Sequence, residues 1–294
     1  MSTAHRPNSI HEHTPHRLST RGSRDGGVLL MASHFLPEDL VTRRVRVALA
    51  GVGGNGAQML HCLARLDRVL RELGHPSGLY VSAFDPDTIS EANIGRQIWF
   101  GSDVGENKAI LGVERVNLAY GLDWMAIPAR YDASVNREWS HCDMLISCVD
   151  TRSARRQFDG FIRRSLGPKH YWLDLGNEEH IGNCVLGEVP RKHRDRNPVL
   201  RLPMVTELFP RLLDKTAPEV NTPSCSLRLS LQSQGLFIND TTVRFAAQIL
   251  YRLFSRGQIA HHGALINLDS MRVNPIAVDP LVWKRYGYHV AEAA

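Results

Sequence analysis

The sequence predicts an α/β protein with a doubly wound, mainly parallel sheet and late antiparallel strands. Three observations carry that expectation. From residue 45 onward, short apolar runs alternate with stretches of helical periodicity. The first run ends in a glycine-rich turn that opens a helix, Gly51-Val-Gly-Gly-Asn-Gly56. Two later runs end in an aspartate, Asp85 and Asp150, and ligands of such sheets sit outside the carboxyl ends of the strands. Alternating β and α segments favour a parallel sheet because each strand is apolar throughout and must be covered on both faces.

The elements follow in order. Residues 1–27 hold four His (His5, His11, His13, His16), four Arg and few large apolar side chains. They read as a flexible, basic, His-rich tail that cannot offset its ordering entropy. Residues 28–294 read as one domain. Val45–Ala50 is a buried strand, and Met59, Leu60, Leu63, Leu66, Leu70 and Leu73 recur at helical spacing until Gly74 stops the helix. Residues 80–84 form a second strand, 108–119 a helix, 126–128 a third strand, 144–149 a fourth, 153–166 a helix and 171–175 a further strand. Residues 190–225 are rich in Pro and charge, begin with Arg191-Lys-His-Arg194, and read as a long functional loop. Val243, Ala246, Ala247, Leu250, Leu253 and Phe254 then line one helix face, and residues 264–268 and 272–278 are late strands.

Composition bounds the function. With 294 residues, 43% hydrophobic and 22% charged, the chain is neither disordered nor fibrous. No run of about 18 apolar residues suggests a membrane span, and the N-terminus lacks the apolar core of a signal peptide, so a cytoplasmic protein is expected. The five cysteines, 62, 142, 148, 184 and 225, form no CxxC pair, which argues against a structural zinc built on cysteine pairs and for reduced thiols. The net charge of +5 is mild, and a nucleic-acid partner is not expected from it.

The glycine turn places backbone N–H groups and a helix N-terminus at an anion. Alone it fits any nucleotide, and its usual owner is a dinucleotide-binding enzyme whose ribose acid lies about 20 residues on. Asp85 comes 29 residues after Gly56, which fits that reading too. The next residues discriminate: Asp85-Pro-Asp87-Thr-Ile-Ser-Glu-Ala-Asn93-Ile-Gly-Arg96-Gln97, then Gly105 and Lys108. A dehydrogenase has no evident use for Asn, Arg, Gln and Lys gathered there. An enzyme attacking the α-phosphorus of a triphosphate does, because charge builds on the α-phosphoryl oxygens and on departing pyrophosphate. Asp150 offers carboxylate oxygen for Mg2+.

On these residues the sequence resembles the ThiF/MoeB/HesA group of adenylating enzymes, relatives of ubiquitin-activating enzymes with a Rossmann-like adenylation domain. The matching pieces are the GxGGxG turn, the Asp85-to-Gln97 pattern, Lys108, and Ser147-Cys-Val-Asp150 with Arg155, over about residues 45 to 165. Tyr171-Trp-Leu-Asp-Leu-Gly-Asn177, Pro223-Ser-Cys-Ser226 and Leu236-Phe-Ile-Asn239 are similar to the ThiF-related member of the plasmid-borne PRTRC systems of bacteria. The resemblance implies that Gly51, Gly53, Gly54 and Gly56 lie beside ATP, and that Asp85 and Asp87 bind the nucleotide, Asp85 at the ribose hydroxyls. It further implies that Asn93, Arg96, Gln97 and Lys108 meet the phosphates and that Asp150 binds Mg2+ through ATP. It implies adenylation of the C-terminal carboxylate of a small ubiquitin-like carrier protein, in a homodimer.

Cys225, before the last large helix, stands where such enzymes can carry an acceptor thiol; the alternative is a thiol without a role. Cys62, Cys142, Cys148 and Cys184 read as core. Residues 190–225 lie where relatives cross over the carrier's tail, and Arg191, Lys192, Arg194 and Arg201 there would attract an acidic partner. The chain departs from many relatives in lacking zinc-binding CxxC pairs. Arg43 and Arg44 lie about where relatives donate an arginine to the partner's site, or are solvated charges. Rival readings are an NAD(P) oxidoreductase, a tRNA-modifying adenylating relative, and a nucleotide-binding scaffold without turnover.

Overall fold

The computed structural model describes residues 32–132, 141–164, 170–190, 201–216 and 235–290. The strands are β1 (His34–Phe35), β2 (Val45–Ala50), β3 (Leu79–Phe84), β4 (Met125–Ile127), β5 (Met144–Ser147), β6 (Tyr171–Asn177), β7 (Ile181–Glu188), β8 (Gln258–Ile259), β9 (His261–Asn267) and β10 (Arg272–Ala277). The α-helices are α1 (Asp39–Thr42), α2 (Gly54–Glu72), α3 (Lys108–Tyr120), α4 (Arg152–Arg164), α5 (Val205–Leu208), α6 (Ile238–Arg256) and α7 (Pro280–Lys284).

Eight strands form one mixed sheet in the order β10-β9-β7-β6-β5-β2-β3-β4, and β1 pairs with β8 in a separate ribbon. The half β4-β3-β2-β5-β6 is parallel and the half β7-β9-β10 antiparallel. The expected α/β architecture is thus observed, with the antiparallel strands late in the chain. Its parallel half is buried for the reason the sequence gives: β2 and β5 are almost wholly apolar and nearly every residue in them is inaccessible. The carboxyl ends are level, since Ala50 stands opposite Phe84 and Ser147, and Ser147 opposite Asp174. The chain goes to β3 on one side of β2 and to β5 on the other, so the glycine turn after β2 sits where the strand order reverses.

Helix limits follow local chemistry. The helix α2 buries the stripe of Met59, Leu60, Leu63, Leu66 and Leu70, and Gly74 beyond it takes the left-handed conformation (φ +95°) that closes helices. Each strand of the sequence reading up to residue 175 is found, with its end moved by a residue or two. The strand β7 escapes that reading, because Gly182, Asn183 and Gly187 interrupt its apolar pattern. The region 190–225 is only partly what its composition suggests. Residues 191–200 and 217–234 lie outside the described residues, but between them Leu202, Met204, Val205 and Leu208 are fully buried. A Cβ on Gly187 of β7 would come within 2.4–3.0 Å of Met204, so this segment is packed against the sheet. The tail 1–27 lies outside the described residues.

Candidate active site at the glycine turn

The turn is held from below. The N–H of Gly51 donates to the carbonyl of Phe84 (2.8 Å), and that of Ala57 to Gly53 (3.0 Å). Gly51 adopts φ +91°, and a Cβ there would lie 2.6 Å from the carbonyl oxygen of Cys148. A Cβ on Gly56 would drive into the Gly51 carbonyl. Both glycines are therefore fixed by sterics. The N-cap of α2 is Gly53, which has no side chain to bond the leading N–H groups of the helix, an arrangement that suits an anion.

Asp85 stands one residue beyond β3 and is buried. Its Oδ2 accepts the N–H of Val52 in the turn (2.6 Å) and its Oδ1 that of Asp87 (2.9 Å). Burial raises its proton affinity, while these N–H groups and nearby Lys108 oppose the rise. Asp85 thus ties the turn to β3. Each carboxylate oxygen has more than one lone pair, so two further acceptor sites remain.

Lys108 opens α3 and is buried, its Nζ 3.5 Å from Oδ2 of exposed Asp87. Asn107 positions both. Its amide donates to the carbonyls of Asp85 and Asp87 (each 3.1 Å), and its oxygen accepts the N–H of Ile110 as the cap of α3 (3.0 Å). The motif reading passed over Asn107, although an Asn just before an apolar helical pattern is the usual sign of such a cap.

Asn93 closes a single 3₁₀ turn, Glu91–Asn93, accepting the N–H of Ser90 (3.1 Å). Gln97 is buried and accepts the indole N–H of Trp99 (2.9 Å), and its Nε2 would lie 3.8 Å from a Cβ on Gly53, so this segment reaches the turn. Arg96 is half-buried: burial disfavours its charge and neighbouring Asp150 favours it. Asp150 is exposed, three residues past β5. The N–H of Ala154 goes to Thr151 Oγ1 (3.2 Å), so capping the start of α4 does not occupy Asp150. Among the described residues no three His, Cys, Asp or Glu side chains gather as a metal cage.

Other sequence expectations divide. Cys225, Arg191, Lys192 and Arg194 lie outside the described residues. Cys62, Cys142 and Cys184 are buried and Cys148 nearly so; burial pushes the Cys184 thiol up to about 12 and those of Cys62 and Cys148 upward, as core thiols require. Arg201 is not a free docking charge. It makes a two-pronged pair with Glu207 (2.8 and 3.0 Å) and donates to Tyr288 Oη and the Glu188 carbonyl (3.0 and 2.9 Å). Arg43 grips buried Asp143 through two bonds of 2.7 Å, and Arg44 pairs with Asp123. Both flank the amino end of β2, the edge opposite the glycine turn, so neither reaches this site within its own chain. Arg155 sits beneath the site, bonded to Asp174 (2.9 and 3.1 Å) and the Leu175 carbonyl (3.0 Å), while Ser147 Oγ donates to the same carboxylate (2.6 Å).

Comparison with solved structures finds the same fold elsewhere. PaaA superposes with a TM-score of 0.51 at 15% identity, over 80% of this chain and 64% of its own. Escherichia coli MccB bound to succinimide gives 0.52 at 15%, over 80% and 64%, and MccB with ATP gives 0.50 at 14%, over 82% and 65%. The chain therefore spans just under two thirds of the length of these proteins. A comparison with curated protein sequences finds no match. The family model described as the ThiF family matches residues 33–274, which takes in the glycine turn, the Asp85-to-Lys108 segment and Asp150. The chain belongs to the ThiF family.

Proposed function

We propose that this protein is an ATP-dependent adenylating enzyme that activates a C-terminal carboxylate. The observation that carries the reading is the grouping, at the carboxyl ends of the parallel strands, of the α2 N-terminus with its glycine cap, buried Asp85 and Lys108, and neighbouring Arg96 and Asp150. A dinucleotide enzyme needs only the first two of these. MccB, which shares the fold, was crystallised with ATP, and this supports the same nucleotide here.

The ribose hydroxyls would donate to the remaining lone pairs of Asp85. The α2 N-terminus, Arg96, Lys108, and the amides of Asn93 and Gln97 would hold the phosphates. A single carboxylate together with phosphate oxygens and water is a normal Mg2+ site, which fits Asp150 without a protein cage. The metal, when bound, neutralises phosphate charge. The substrate carboxylate attacks the α-phosphorus, a carboxyl oxygen–phosphorus bond forms, and the bond to the β-phosphate oxygen breaks to release pyrophosphate. The attacking group is already ionised, so no general base is needed. Rate comes from positioning and from fixed positive charge where negative charge grows.

The substrate proposed is a small ubiquitin-like carrier, and the organisation proposed is a homodimer of one domain, residues 28–294, in a PRTRC-type system. These details rest on sequence resemblance. In a later step of the same proposal the Cys225 thiolate attacks the acyl carbon of the adenylate, a thioester C–S bond forms, and the acyl carbon–oxygen bond to phosphate breaks to release AMP. ATP–pyrophosphate exchange with candidate carriers tests it. Exchange that requires a free carrier C-terminus is expected, lost in Asp150→Ala and retained in Cys225→Ala. Measurable ATP binding with no exchange for any carrier would favour a nucleotide-binding scaffold.

A further inference from the structure

Three amides, buried Asn55 and Asn239 and half-buried Asn177, stand behind the glycine turn. Asn177, at the end of β6, donates one N–H to Oδ1 of Asn55 in the first turn of α2 (2.9 Å). It donates the other to Oδ1 of Asn239 in the first turn of α6 (2.6 Å). Beside them Gln58 of α2 donates to Asp240 of α6 (3.0 Å). The space is kept open by glycine: a Cβ on Gly54 would lie 2.7 Å from the Asn239 amide. A Cβ on Gly182 would collide with Thr242 Oγ1 and lie 3.4 Å from Asn177 Oδ1.

This arrangement is costly. Asn55 and Asn239 are buried, and Asn177 Oδ1, Asn239 Nδ2 and Thr242 Oγ1 have no hydrogen-bond partner among the described residues. Apolar side chains would join β6, α2 and α6 without desolvating these groups. What amides supply instead is direction: each hydrogen bond fixes the angle as well as the distance of the turn it holds. Asn55 lies inside the glycine turn, between Gly54 and Gly56.

We infer that Asn55, Asn177 and Asn239 are positioning residues, a clasp that holds the glycine turn and the N-terminus of α2 at the angle a nucleotide's phosphates require. The clasp acts through the turn and touches no reacting atom. It rests on the adenylation reading, since the turn must receive phosphate for its angle to matter. Asn177 is the hub, so its loss frees both partners, and loss of Asn239 leaves Asn55 held by one bond.

The test titrates ATP into the full-length protein, comparing wild type with Asn177→Ala, Asn239→Ala and the double variant, with thermal melts alongside. Each single variant is expected to weaken ATP binding about tenfold, the equivalent of roughly one buried hydrogen bond. The double variant is expected to bind no more weakly than Asn177→Ala, because the residues act as one unit. Unchanged ATP affinity in folded variants with lowered Tm would overturn the proposal, since a merely structural contact behaves that way. Asn55→Ala removes a single acceptor and gives the same reading if the hub variant does not fold. A wild-type protein that binds no ATP removes the adenylation reading itself, and the clasp with it.

Discussion

The tightest constraint on this protein falls on single atoms. Gly56 has no space for even one carbon, because its missing side chain points into the Gly51 carbonyl. Gly56→Ala is expected to cost about 1–3 kcal/mol by forcing backbone movement in a packed region. It should also abolish ATP binding in the protein that still folds, and a chemical melt with an ATP titration checks both. The glycines were legible in the sequence because a GxGGxG turn between strand and helix has few other physical uses. Asp85 was legible as a site residue but not as a structural one. Its bonds to Val52 and Asp87 depend on a close approach that spacing does not reveal. Arg43 and Arg201 show the converse: as letters they are surface charges, and the fold engages both in ion pairs.

At the level of elements, α3 is placed by its cap. Asn107 joins the helix start to the loop after β3, and thereby sets Lys108 beside Asp87. Asn107→Ala is expected to lower stability by about 1 kcal/mol for the lost cap. It should weaken ATP binding more than an equally destabilising change at another helix end, which paired melts and titrations would show. Helices and parallel strands were readable because their apolar periods differ and nothing interrupts them. The strand β7 and the segment 201–213 were not. Glycine and asparagine break the pattern of the first, and proline and charge mask the buried Leu202, Met204, Val205 and Leu208 of the second.

Across the whole molecule, the antiparallel half of the sheet carries a pH dependence of its own. His262 on β9 is fully buried between the Leu186 carbonyl (2.8 Å) and the indole N–H of Trp283 (2.8 Å). The indole donates to Nε2, so Nδ1 carries the proton and the ring is neutral. Burial pushes its pKa down to about 4. The unfolded chain takes up this proton at a higher pH than the folded one. The contribution is therefore complete above pH about 6.5 and is lost as pH falls towards 4, by about 3 kcal/mol in all. Thermal melts across that range should show the loss, and His262→Gln should flatten it. The adenylation reading itself rests on the opposite, parallel half, at the edge where the glycine turn, Asp85, Arg96, Lys108 and Asp150 meet. The most direct measurement of it is a calorimetric titration of wild type and Lys108→Ala with ATP and, separately, with NAD. The account predicts that wild type binds ATP, that Lys108→Ala binds it at least tenfold more weakly, and that NAD gives no saturable heat. Saturable NAD binding, with ATP bound no better by wild type than by Lys108→Ala, would contradict it.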